Sequence, residues 1–205
     1  MMFREQLRDA LAQVQHLQET VLERQRFRGY SGLARVLSGT LALGAAVVMS
    51  QSFYPATARA HVLGWGAVFV LASLLNGIAL LYWFFHDPRV NHDLTRLRPM
   101  LDSLPPLAVG GVLTATLIMH GRHDYLFGVW MCMLGLSHLA TRHVLPRAII
   151  LVGLFYLVCG SAWLLIPDIS FLRPWSMGVV FFAGECAGGL ILHFDERRYL
   201  ARVRY

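Results

Sequence analysis

The sequence contains no lysine, only three cysteines and few charged residues, and each scarcity excludes a class of protein. Charged residues make up 15% of the chain and hydrophobic residues 56%, which is too apolar for a soluble domain of 205 residues. The odd cysteine count, without a CxxC spacing, argues against a disulfide framework or a thiolate metal site. Cys132, Cys159 and Cys186 are therefore expected to be small, buried apolar side chains.

Motifs that carry enzymatic chemistry are also missing. The sequence has no glycine-rich phosphate loop, no HExxH pair and no Ser–His–Asp order, and the links between its apolar runs are short. We therefore predict a protein that is not an enzyme and has no cofactor. The net charge of +6 does not indicate a nucleic-acid partner, because the arginines are spread along the chain. Their expected roles are membrane topology and contact with the lipid bilayer.

The sequence does contain six apolar runs, each close to the ~20 residues that cross a hydrocarbon core as a helix. They lie at 33–52, 61–85, 104–120, 124–143, 145–166 and 175–194. This pattern predicts an all-α, polytopic membrane protein with six transmembrane helices. Short links join the first run to the second, the third to the fourth and the fifth to the sixth, which predicts three helical hairpins.

The arginines divide unequally between the two sides of such a bundle. With a cytoplasmic N-terminus, fifteen of the 18 arginines, including Arg35, fall on the inner side. Only Arg59, Arg122 and Arg173 fall on the outer side. By the positive-inside rule, this bias predicts a multi-pass protein of the bacterial inner (plasma) membrane with both termini in the cytoplasm.

A different pattern precedes the first apolar run. Apolar residues recur at spacings of three and four between residues 4 and 27, which predicts an amphipathic helix. It would lie on the cytoplasmic membrane surface or pack on its own bundle; alternatively, it would bind a partner helix. The predicted organisation is a cytoplasmic or interfacial helix at 1–30, a six-helix membrane domain at 31–198 and a short basic tail at 199–205.

The last predicted hairpin, at 147–198, combines a glycine-rich first helix, a proline turn and a glycine-rich second helix. These features are Gly153 and Gly160, then Pro167, then Gly178, Gly184, Gly188 and Gly189. The pattern resembles the hairpin repeat of HdeD-type six-span bacterial inner-membrane proteins, a family linked to acid resistance. It also resembles other six-span bacterial membrane proteins of similar length with no assigned activity. The resemblance covers roughly residues 33–198 and implies no catalytic motif.

Polar side chains inside a bilayer are costly, so they are the first candidates for a functional site. Asn76, His138 and Glu185 stand out, one in the second helix of each hairpin. Their depths agree to roughly one helical turn, so they could meet if these three helices line a common interior. Whether they face one another does not follow from spacing.

Glu185 is the only carboxylate near the middle of a span. Beside a protonated His138 it could ionise and move protons or hold a cation. Alternatively, it is a protonated side chain that ties helices together, or a contact for a ligand or lipid headgroup. Gly184 and Gly188 flank it in a small-xxx-small pattern, which predicts close packing of another helix.

Three histidines, His86, His143 and His193, lie at the inner helix ends. With nearby carboxylates they could bind a divalent metal, although no HxxxH spacing fixes them on one helix face, and interfacial side chains near headgroups are the simpler interpretation. We predict no metal.

Two hypotheses for function follow. The first is a non-enzymatic accessory or interaction subunit of a homo-oligomer or larger membrane protein complex. The second is a small proton- or cation-coupled transporter that uses Glu185, His138 and Asn76. Glu185→Gln separates them: the first hypothesis expects little change beyond stability, and the second expects loss of transport.

Overall fold

The computed structural model describes residues 29–87, 97–166 and 169–203, and this part of the chain is helical without strands. The α-helices are α1 (Gly32–Met49), α2 (Ala58–His86), α3 (Arg98–Met119), α4 (Leu126–Ala140), α5 (Ile149–Leu165) and α6 (Trp175–Val203). A 3-10 turn at His123–Tyr125 precedes α4. The all-α class is thus confirmed for the described residues. The predicted helix at 4–27 lies outside them.

Hydroxyl side chains fix where the first two helices begin. The Ser31 Oγ accepts a hydrogen bond from the amide of Ala34 at 3.3 Å, and the Thr57 Oγ1 accepts one from the amide of Ala60 at 3.3 Å. Each hydroxyl replaces a carbonyl that the first helical turn lacks, which is the usual function of serine and threonine at this position. The caps set the first residue of α1 at 32 and of α2 at 58.

Of the six α-helices that the structure describes, four are long and apolar enough to cross a membrane. They are α1, α2, the Met100–Met119 part of α3 and the Trp175–Arg197 part of α6. The other two helices are shorter: α5 is 17 residues long and α4 is 15 residues long. At 1.5 Å per residue, α4 is about 22 Å long, less than the ~30 Å of a typical hydrocarbon core. The described helices therefore indicate a membrane protein.

Glycines allow the closest approach between helices, which occurs in two helix pairs. A Cβ on Gly32 of α1 would lie 2.6 Å from the carbonyl oxygen of Gly189 of α6, so these backbones touch. A Cβ on Gly135 of α4 would lie 2.7 Å from the carbonyl oxygen of Gly153 of α5. Small residues allow such close approach of helices in a membrane. The most extensive packing in the fold therefore joins α1 to α6 and α4 to α5.

The outer positions in the bundle belong to α2, which packs on α1, and α3, which packs on α4. Packing between α5 and α6 is less extensive and joins the two halves. The resulting order of neighbours is α2, α1, α6, α5, α4, α3. The two tightest pairs thus combine helices from different predicted hairpins. Hydropathy could not predict this order, because it does not show which face of each helix carries the glycines.

Packed neighbours run in opposite directions, which gives the bundle two ends. At the near end α1, α3 and α5 begin; at the far end α2, α4 and α6 begin. An aromatic cluster fills the interior at the far end. The ring of Phe127 lies 4.6 Å from that of Phe171, 5.4 Å from that of Trp163 and 5.7 Å from that of Trp65. This cluster connects α2, α4, α5 and the loop before α6.

Candidate functional site

A buried ion pair between α1 and α6 is the centre of the polar interior. The Arg35 Nε donates to Glu185 Oε2 at 2.9 Å, and Arg35 Nη2 donates to Glu185 Oε1 at 3.0 Å. Arg35 is 7% exposed and Glu185 is 6% exposed. Two parallel hydrogen bonds match the planar guanidinium to the planar carboxylate, the strongest geometry for such a pair. The structure therefore supplies Glu185 with a permanent positive partner.

His138 of α4 contacts the same guanidinium. Its Nδ1 lies 2.8 Å from the carbonyl oxygen of Leu134, and its Nε2 contacts Arg35 Nη2. A carbonyl only accepts and a guanidinium only donates, so Nδ1 carries the proton and Nε2 accepts. His138 is thus a neutral imidazole that accepts a hydrogen bond from Arg35. The sequence suggested a protonated His138 as the partner of Glu185, but Arg35 fills that position.

Tyr156 of α5 completes the coordination of the carboxylate. Its hydroxyl lies 3.1 Å from Glu185 Oε1 and 3.3 Å from the carbonyl oxygen of Phe181. The two oxygens share the single proton that the hydroxyl can donate. The side chain is fully buried. Glu185 Oε1 thus faces donors on two helices, while Oε2 faces the Nε of Arg35. Both oxygens of the carboxylate are therefore occupied by groups of the chain itself.

The glycines that flank Glu185 make room for these side chains. A Cβ on Gly184 would collide with the ring of Tyr156, and a Cβ on Gly188 would lie 2.6 Å from the guanidinium carbon of Arg35. We expected Gly184 and Gly188 to admit another helix. The structure instead fills their space with two side chains of the network, and the close approach of backbones occurs at Gly189.

Asn76 of α2 belongs to an adjoining contact rather than to the ion pair. Its Nδ2 donates to the Ser38 Oγ at 2.9 Å and to the carbonyl oxygen of Ala72 at 2.9 Å. The Ser38 hydroxyl in turn donates to the carbonyl oxygen of Ala34 at 2.8 Å. Asn76 therefore ties α2 to α1 about one turn from Arg35. Of the three polar candidates, the structure brings His138 and Glu185 together on Arg35 and leaves Asn76 beside them.

Within the described part of the chain, His86, His143 and His193 are not grouped as ligands of one metal ion. The His86 ring stacks on Tyr82 with centroids 4.2 Å apart, and its Nδ1 donates to the Tyr82 carbonyl oxygen at 3.1 Å. His193 contacts the ring of Phe194 instead, at 6.1 Å between centroids. Among the described residues, no three histidine, cysteine or acidic side chains are grouped closely enough to hold a metal ion.

The three cysteines are free thiols and are half-buried, whereas we expected them to be buried.

Tyr30 lies just before α1, at the near end of the network. Its hydroxyl is within hydrogen-bonding reach of Ser103, and the charge of Arg35 acts on it. Burial raises the pKa of Tyr30 above its usual value of 10.0. The phenol therefore stays protonated and neutral at physiological pH, so it adds no charge to the Arg35–Glu185 pair.

Arg35 and Tyr156 were not predicted from the sequence as members of the site. Arg35 was counted among the arginines that set topology, although it already lies inside the first apolar run, at 33–52. A charged side chain within a span requires a partner, and Glu185 is the only carboxylate near the middle of one. That complementarity was a usable signal. Tyr156 had no comparable signal, because a tyrosine in an apolar run is an ordinary core residue.

Comparisons with known proteins do not supply a function. No family model matches the sequence, and neither the curated proteins nor the solved structures contain a match to it.

Proposed function

We propose that this chain is a non-enzymatic integral membrane protein that acts as an accessory or interaction subunit, in a homo-oligomer or a larger membrane complex. One observation carries the proposal: the polar groups buried around Glu185 are matched to one another. Arg35 Nε and Nη2 donate to Glu185, Tyr156 donates to Glu185, and His138 accepts from Arg35. A carboxylate held in this way is a cross-link between helices rather than a reactive group.

The proposed setting is a bacterial inner membrane with six spans, in three hairpins, and both termini in the cytoplasm. The distribution of arginine supports it, because fifteen of 18 arginines belong to the proposed cytoplasmic side. In this orientation the near end of the bundle is cytoplasmic, and Arg59, Arg122 and Arg173 lie at the opposite end. The short helices α4 and α5 would cross with the help of the turns that flank them. The resemblance to HdeD-type proteins remains part of this proposal.

The surface available to a partner is mostly on α2 and α3. Only 6% of the apolar stretch within Met100–Met119 of α3 is buried, and only 17% of the apolar stretch within α2 is buried. Gly66 and Gly77 of α2 and Gly111 of α3 have open space where a Cβ would lie. Such helices contact lipid or another membrane protein, and small residues would let a partner helix come close. The segment at 4–27 offers a second proposed contact.

Native mass spectrometry of protein extracted gently from its own membrane tests this proposal. We expect a complex in which the 23.1 kDa chain is accompanied, in fixed ratio, by further copies of itself or by foreign subunits. An absorption spectrum of the same sample checks for a bound pigment. A bare monomer that carries only lipid, in several mild detergents, would contradict the accessory role.

A proton- or cation-coupled transporter is the second candidate. The observation that favours it is that two polar contacts lie close together inside the bundle: Asn76 donates to Ser38 on α1, and about one turn away Arg35 pairs with Glu185. Ion-coupled transporters use intramembrane charged residues in this way. Transport would require Glu185 to release Arg35 and take up a proton or cation. The occupied carboxylate oxygens oppose that step, so we place this candidate second.

A further inference from the structure

The far end of the bundle contains an open cleft of about 470 Å³, separate from the buried network. It lies between the α1–α2 loop and the loop that leads into α6. Its lining includes Tyr54 and His61 from one side and Arg173 and Trp175 from the other. The volume falls within the ~300–1,000 Å³ of small-molecule sites, and an aromatic wall with a few polar groups is typical of them.

His61 lines this cleft and has a nitrogen without a partner. Its side chain is 2% exposed, and its Nδ1 lies 3.1 Å from the carbonyl oxygen of Thr57. The carbonyl can only accept, so Nδ1 carries the proton and Nε2 of the neutral ring is an acceptor. Nε2 is buried and has no hydrogen-bond partner among the described residues. An unmatched buried acceptor costs about 1–3 kcal/mol, so a donor from outside the chain would be favourable here.

Arg173 supplies a positive charge to the same cleft. Its side chain is exposed, and its guanidinium forms no ion pair with any residue that the structure describes. The Tyr54 hydroxyl is already used, since it donates to the carbonyl oxygen of Ala60 at 2.8 Å. The lining also includes the polar side chains of Ser50, Gln51, Ser52 and Ser176. The two groups that determine the proposed ligand are the acceptor at His61 and the cation at Arg173, beside the aromatic surface of Trp175.

We propose that this cleft binds a phosphate that carries a hydroxyl group, as in glycerol phosphate. The phosphate would pair with Arg173, which matches phosphate oxygens in a bidentate fork, and the hydroxyl would donate to His61 Nε2. Such a group reaches the cleft either as a free solute or as the headgroup of a lipid in the adjoining leaflet. Because the cleft lies at the ends of α1, α2 and α6, it is placed where phosphate headgroups meet the helices. This site is independent of the proposed accessory role.

The test measures binding of two probes to the purified full chain. Free glycerol phosphate is titrated against protein in a neutral detergent, and nanodiscs of phosphatidylglycerol are compared with nanodiscs of phosphatidylcholine, whose headgroup has no hydroxyl. Arg173→Gln and His61→Phe are expected to weaken binding about tenfold or more. Arg122→Gln is the matched control, because Arg122 is another exposed arginine at the far end that does not line the cleft.

His61→Phe keeps a ring beside Tyr54 and Phe171, whose centroids lie 5.2 and 6.3 Å from that of His61, so the variant should fold. Without ligand it should be at least as stable as the original chain, because it removes the unmatched acceptor. Binding of both probes, or of phosphatidylglycerol alone, supports the site and identifies the source of the phosphate. Equal binding by Arg173→Gln and Arg122→Gln, or no preference for phosphatidylglycerol together with no binding of glycerol phosphate, would overturn it.

Discussion

Replacing Glu185 by glutamine is expected to lower the free energy of unfolding by about 3–5 kcal/mol, because it leaves Arg35 charged and buried without a counter-charge. Arg35 cannot discharge by losing a proton, and it is 7% exposed. From the sequence alone, the accessory hypothesis expected Glu185→Gln to change little beyond stability. The contact with Arg35 gives the physical reason for the loss of stability predicted here. Reversible unfolding in detergent, followed by circular dichroism, measures the loss.

Two further variants separate the ion pair from general damage. Arg35→Met should cost less than Glu185→Gln, because the carboxylate left behind can take up a proton and become neutral. The double variant Arg35→Met/Glu185→Met should recover most of the stability, since apolar side chains of similar volume often replace a buried pair without net cost. If Glu185→Gln is as stable as the original chain, or if the double variant is the least stable of the three, the ion pair does not hold α1 to α6.

Replacing Gly189 by alanine is expected to lower the free energy of unfolding by about 1–3 kcal/mol, the usual range for overpacking. Its Cβ would lie 2.6 Å from the backbone carbonyl oxygen of Gly32, and a backbone atom cannot rotate away. The helices α1 and α6 must then separate, which also lengthens the Arg35–Glu185 contact. The same unfolding assay measures the effect.

Gly44→Ala is the matched control for this prediction. Gly44 lies within α1, like Gly32, but no atom lies within 4 Å of the position of its Cβ. Alanine there should be neutral or stabilise the helix by up to about 1 kcal/mol, because glycine is the poorer helix former. Equal losses for Gly189→Ala and Gly44→Ala would show that helix propensity, and not contact between α1 and α6, determines the outcome.

The helices were predictable from sequence, while their arrangement was not. The first run was predicted at 33–52 and α1 spans Gly32–Met49, because both follow from the apolar composition. The sixth was predicted to end at 194, yet α6 continues to Val203, since charged residues end an apolar run without ending a helix. The pairing of α1 with α6 depends on glycines that face each other, and a linear sequence does not show which residues face.

The site was predictable only in part, because the sequence shows which residues are polar but does not show which residues face one another. His138 and Glu185 were found because a polar side chain in an apolar span needs a partner. The identity of that partner was missed, because Arg35 is close enough to the end of its span to be counted with the topology signal. Asn76 was grouped with them by depth, but depth does not fix direction, and its amide donates to Ser38 instead.

The most direct test of the proposed function is the charge of Glu185 in the membrane. Infrared difference spectroscopy of the chain in lipid, with Glu185→Gln as the reference, distinguishes an ionised carboxylate from a protonated carboxyl group. A carboxylate band and no carboxyl band from Glu185 is the predicted result, because Arg35 and Tyr156 donate hydrogen bonds to its carboxylate oxygens. A carboxyl band from Glu185 would contradict the static cross-link and favour a proton-coupled transporter.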